Sequence, residues 1–251
     1  MPLLTGVKLI VRNLAFLRLC WAVTVLYFVV TGIQFWYSDF AITVMKIKRE
    51  IVFTVFGVVS VSGPVLGVVF GGFVSGKIGG YNHPHSIYLT AAVSLFAVAC
   101  SAPAAFIPAA LFPVQVVLLW CLLFAGGFIM PNITGVMLNA VEEHLKTSAN
   151  AIANICYNVF GFLPSPYVYG AIADSGPVVG GNKRQAMSVN LCAPILCGAA
   201  VAYHAVTIWL KAKGPAPTTD TSTQAAALPP EEEDAANAPA TRTARIHSEA
   251  A

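Results

Sequence analysis

Long apolar runs alternate with short polar connections along this chain. Six runs are long enough, or nearly so, to cross a hydrocarbon core, which takes roughly 20 residues of helix. They cover about 14–38, 51–73, 86 to the interruption at Pro103, Pro113 to about 140, 147–168 and 186–210. The connections read KIKRE (46–50), SGKIGGYNHPH (75–85), VEEHLK (141–146) and DSGPVVGGNKRQ (174–185). A backbone in lipid must satisfy its own polar groups, and apolar runs of this length do so as helices. The expected fold is therefore all-α and integral to a membrane, with six transmembrane helices over 14–211. A short flank, 1–13, precedes them. The first run is too long for a signal peptide and no small-x-small cleavage site follows it. From 212 to 251 the chain turns to Ala, Pro, Thr and Glu with few large apolar side chains, which predicts a disordered tail.

Composition sharpens this picture. Hydrophobic residues make up 57% of the chain and charged ones 10%, against about 25% charged in soluble domains. Every acidic residue lies at a run end, in a connection or in the tail: Asp39, Glu50, Glu142, Glu143, Asp174, Asp220, the stretch 231–234, and Glu249. The net charge of +3 comes without a basic block interleaved with aromatics, so nucleic acid is not an expected partner. Lys8, Arg12, Arg18, Lys77, Lys146, Lys211 and Lys213 fall on one side of a six-span topology. Lys46, Lys48, Arg49, Lys183 and Arg184 fall on the other. The larger set marks the cytoplasmic side, which places both termini there. Plasma and endolysosomal membranes fit equally.

The cysteines sit far apart within apolar runs and read as buried side chains. His83 and His85 form a pair without a third ligand, so no metal is expected. No Ser-His-Asp set, HExxH or phosphate-binding loop occurs. Neither an enzyme nor a cofactor site is expected.

Polar and helix-breaking residues inside the runs carry the functional signal. Gly63, Gly67 and Gly71 recur every fourth residue and share one helix face, which suits close helix packing; Gly72 and Gly76 begin a second such row. Pro64 loosens the same helix. Asn150, Asn154 and Asn158 repeat at the same spacing with Tyr157 beside them. Amides that need partners predict a stripe facing a wet cavity. Pro164 and Pro166 mark a bend at its mouth, with Tyr167 next to it. Thr31, Gln34 and Trp36 end the first run, and Asn132 follows Pro131 in the fourth. These are the further candidates for a substrate path, with Pro64, Pro131, Pro164 and Pro166 as hinges.

SGPVLGVVFGGFVSGKIGGY resembles the eighth helix and following loop of major facilitator superfamily transporters. Gly72, Lys77 and Gly79 match the G-x-x-x-D-[RK]-x-G signature, while Gly76 stands at its acidic position. FVVTGIQFWYSDF is similar to the seventh helix of spinster-like lipid transporters. The ending Ser165-Pro166-Tyr167, Gly170, Asp174 is similar to that of their eleventh helix. Organic-anion transporting polypeptides share a P-x-P-x-x-x-G-x-x-x-D ending. The resemblance implies one 3+3 inverted-repeat half of a major facilitator fold, moving a small organic or amphipathic lipid-like solute by alternating access. It also implies a partner: a second six-helix half, or a second copy of this chain. The alternative from another class is a non-transporting membrane subunit or a truncated half-transporter, in which the polar stripe serves helix assembly alone.

Overall fold

Helices begin and end where local chemistry allows. In the computed structural model, residues 3–81, 83–176 and 182–213 are described. Helix α1 (Leu3–Arg12) occupies the expected flank, with Ile10 buried. Asn13 then caps α2 (Leu14–Thr43): its side-chain oxygen accepts from the amides of Ala15 at 3.0 Å and Phe16 at 3.2 Å. Its Nδ2 donates to the Ala140 carbonyl at 2.6 Å, tying the start of α2 to the end of α5 (Phe112–Asn139). Helix α3 (Arg49–Lys77) closes at Gly79 and Gly80. Both have positive φ, and the Gly80 amide returns to the Ser75 carbonyl at 2.9 Å. Pro84 opens α4 (Pro84–Ala104) at a position where its missing N–H costs nothing.

Among the described residues the protein is all-helical, and five stretches are long and apolar enough to cross a membrane: Leu14–Thr43, Arg49–Lys77, Pro84–Ala104, Ala109–Asn139 and Lys183–Ala212. It is a multi-pass membrane protein. The expected fifth run is not among the five. Residues 146–174 form α6 (Lys146–Tyr157), a π-turn (Asn158–Phe162) and α7 (Pro164–Asp174), each too short to cross alone. The last run is also divided, into α8 (Lys183–Cys192) and α9 (Pro194–Lys213). Pro194 offers no N–H to the Asn190 carbonyl, which takes the Ala193 amide at 3.3 Å instead. These helices belong to one compact unit, Met1–Ala212. Beyond Lys213, the expected disordered tail lies outside the described residues.

Helix α2 runs through the middle. Half of its most apolar stretch is buried, against 22% for α3. It touches α3, α5, α6, the π-turn, α7 and α8. The face α3 leaves uncovered carries Val61, Val65, Val69 and Phe73, as suits lipid contact.

Helices α3 and α5 meet along a glycine row. A Cβ on Gly63 would lie 3.2 Å from that of Leu123, and one on Gly71 would lie 2.5 Å from the Phe128 carbonyl oxygen. On Gly67 it would come within 2.9 Å of the Phe128 nitrogen and nearer still to the Phe124 carbonyl. Gly127 answers from α5, where a Cβ would stand 2.5 Å from the Pro64 carbonyl oxygen. Backbone thus meets backbone along the whole row. Trp120 Nε1 donates to Ser62 Oγ at 3.0 Å, and Ser75 donates to Asn132 Oδ1 further along. Gly72 and Gly76 face open space.

Candidate functional site

The site begins with a helix that cannot stay regular. Pro164 and Pro166 withhold amides from the carbonyls of Phe160 and Phe162. The chain responds upstream of both prolines: the Leu163 amide reaches back to the Asn158 carbonyl at 2.9 Å, one residue further than an α-helix would. The bend expected at the prolines is therefore a π-turn over Asn158–Phe162, with the prolines in the first turn of α7. Gly161 uses the altered register to approach α2. A Cβ there would lie 3.1 Å from that of Tyr27, and closer to the Thr24 carbonyl.

Helices α2 and α6–α7 then run side by side. Tyr27 stacks on Tyr157 with centroids 4.2 Å apart, and Trp36 stacks on Tyr169 at 4.7 Å. Ser165 Oγ donates to the Phe28 carbonyl at 2.6 Å, and Trp36 Nε1 donates to the Pro166 carbonyl at 3.2 Å. At the far end, Lys183 pairs with Asp39 at 2.6 Å and reaches Thr43 Oγ1 at 3.4 Å.

Along α6, the asparagine stripe is largely uncovered. Asn150 and Asn158 are exposed and Asn154 is half-buried. Asn154 Nδ2 donates to the Asn150 carbonyl at 3.0 Å, Asn158 Nδ2 to the Asn154 carbonyl at 2.8 Å, and Tyr157 donates to Asn154 Oδ1. An amide offers two donor hydrogens and an acceptor oxygen. Asn158 therefore keeps its oxygen and one N–H free, and the Asn150 side chain has no partner among the described residues. In pure hydrocarbon each such group would cost several kcal/mol by the usual order of magnitude.

Tyr27 connects this stripe to an open cleft of about 280 Å³ where α2, α3 and α5 meet. Gln34, Ser60, Pro64, Val68 and Met130 line it with Tyr27. Gln34 is exposed, and its amide too has no partner among the described residues. Leu26, Val30, Leu123 and Gly126 divide the cleft from a small apolar void of about 30 Å³ further inside, which Ile129 and Cys197 help to line. Neither α3 nor α5 breaks at its proline. Pro64 and Pro131 instead withhold amides from the carbonyls of Ser60 and Gly127, and both of those residues line the cleft.

The structure thus sets Tyr157 against Tyr27 and Asn154 against Tyr157, with Asn150 and Asn158 on the same stripe and Gln34 and Pro64 along the cleft that Tyr27 helps to line. The other candidates lie elsewhere. Asn132 is fully buried in the α3–α5 seam, where it accepts from Ser75 and donates to the Phe128 carbonyl at 3.2 Å. Thr31 is buried inside the bundle. Trp36 is held against α7. Tyr167 points outward, 78% exposed, and Tyr169 is the buried ring of that turn. No charged side chain lines the cleft, and no group of three or more His, Cys, Asp or Glu side chains placed to hold a metal occurs among the described residues.

Compared with known proteins, the chain matches no family model, no curated protein and no solved structure.

Proposed function

We propose that this chain is one six-helix half of a secondary transporter of the major facilitator type, moving a small organic or amphipathic solute by alternating access. The observation that carries the reading is the uncovered polar stripe of α6, continuous through the Tyr157–Tyr27 stack with the cleft at Gln34. Amides without partners are tolerated at membrane depth against water or a polar ligand, and not against lipid. In this reading α6, the π-turn and α7 supply the sixth crossing: together they extend roughly 43 Å at helical rise. The π-turn and its prolines form the joint that lets this crossing bend. The closed α3–α5 seam is the rigid body it bends against. A second six-helix set, from another polypeptide or a second copy, completes the path, and the termini face the cytoplasm.

A specific observation favours the rival, a membrane subunit that does not transport. Asn154 and Asn158 each give one amide hydrogen to their own helix, so part of the polar demand is met locally. Solute screening separates the two. Small neutral and amphipathic solutes are tested for thermal stabilisation of the reconstituted protein, and those that stabilise are tested for uptake into liposomes. Transport predicts saturable uptake that Asn154→Leu and Gln34→Leu both reduce at least tenfold. Stabilisation without uptake, unchanged in both variants, favours the subunit.

A further inference from the structure

Six cysteines that look scattered along the sequence include two that meet across α2 and α6. Cys20 and Cys156 lie within interaction range of each other's thiols. The register of the seam places them there independently. Thr24 meets Gly161 and Phe28 meets Ser165 at one offset; the π-turn takes up one extra residue, so one turn earlier on α2 Cys20 falls beside Cys156 instead of Tyr157. Tyr27, whose ring stacks on Tyr157, shares the same seam. A disulfide between helices needs Cβ atoms about 3.8 Å apart. Ordinary helix pairs, with axes 8–10 Å apart, seldom allow it. Here Gly161 has no side chain, and the two backbones close up one turn beyond the cysteines. Cys100 and Cys121 also meet, across α4 and α5, but no glycine lies within a turn of either.

We propose that Cys20 and Cys156 form a reversible dithiol–disulfide pair, oxidised by a hydroperoxide, that fastens α6 to α2. Their environments divide the labour. Cys156 is half-buried and can meet a small oxidant, whereas Cys20 is 4% exposed and is reached by its neighbour. The Cys156 sulfur attacks the peroxide O–O bond, giving a sulfenic acid and releasing the alcohol, or water when the oxidant is hydrogen peroxide. The Cys20 sulfur then displaces the sulfenic oxygen, which leaves as water with the thiol proton. In sum, two thiols and one hydroperoxide give one disulfide, one alcohol and one water. A thiol reductant restores the pair. The bond would hold α6 just below the π-turn and keep the asparagine stripe from moving away from α2. It does not depend on the transport reading, since the two thiols meet whatever the cleft binds.

Linkage mapping of the unmutated full chain in liposomes tests this. Hydrogen peroxide supplies oxidant from water, and cumene hydroperoxide supplies it from within the bilayer. After alkylation of the remaining thiols, non-reducing proteolysis and mass spectrometry should show Cys20 joined to Cys156. The mass loss should be about 2 Da, for two hydrogens, and thiol reductant should reverse it. Whichever oxidant links them faster identifies the side from which it arrives. In Cys20→Ser, dimedone should trap a sulfenic acid at Cys156. The proposal is overturned if both cysteines are recovered alkylated after both oxidants, or if Cys156 links to any other cysteine in protein that keeps its folded thermal transition.

Discussion

Across α3 and α5, glycine faces backbone over three turns, and the polar side chains at the seam pair with each other. Across α2 and α6–α7, stacked rings and single hydrogen bonds face an interrupted helix, and that helix carries amides that are unpaired at Asn150 and only partly paired at Asn158. Both seams hold helices together where lipid gives no hydrophobic incentive. The first does so by excluding everything except backbone, so any displacement loses contact along its whole length. The second does so at separate points, with a π-turn between them. One protein thus contains a seam closed by backbone and a seam held at points, and the uncovered polar surface lies beside the second.

The comparison breaks most visibly at Gly67. A leucine there has no room against Phe124 and Phe128. Gly67→Leu should cost about 3 kcal/mol or more in detergent unfolding. Gly72→Leu, facing open space on the same helix, should stay within about 0.5 kcal/mol. Equal losses would mean that the seam is not closed by its glycines. Next is Gly161→Ala, whose methyl group meets Tyr27 and Thr24. It should cost about 1–3 kcal/mol and weaken the Tyr27–Tyr157 stack, visible as a change in near-ultraviolet dichroism. Trp36→Phe keeps a ring over Tyr169 but loses the donor to Pro166, a loss of about 1 kcal/mol. Smallest is Lys183→Met at the partly exposed Asp39 pair. It should change stability by under about 1 kcal/mol, and less at high salt.

Some of this was legible in sequence and some was not, for physical reasons. The i, i+4 glycine spacing shows a packing face, but Gly63–Gly67–Gly71 and Gly72–Gly76 look alike until α5 covers one of them. The prolines announce a break in the fifth run. The relief falls upstream, over Asn158–Phe162, because a proline leaves unpaired the carbonyls that precede it. Tyr167 and Tyr169 are two residues apart, about 200° around a helix, and only the packed bundle shows that Tyr169 faces inward. Asn132 has the same composition as the stripe residues, yet Ser75 on another helix turns it into a seam contact. The Cys20–Cys156 meeting depends on the parallel register of two helices far apart in sequence. Thr24, Gly161, Phe28 and Ser165 reveal that register only once folded.

If α6 turns its asparagines toward water while the α3–α5 seam stays shut, single cysteines at Asn150, Asn154, Asn158 and the seam residue Ser75 should differ in reaction with a membrane-impermeant maleimide. They are placed in a background free of native cysteine and reconstituted in liposomes. Rapid labelling is expected at the three asparagine positions, slowed by a solute that stabilises the protein, with none at Ser75. Protection at all three asparagine positions, equal to that at Ser75, would place the stripe against lipid or a sealed helix contact and rule out a wet face on α6.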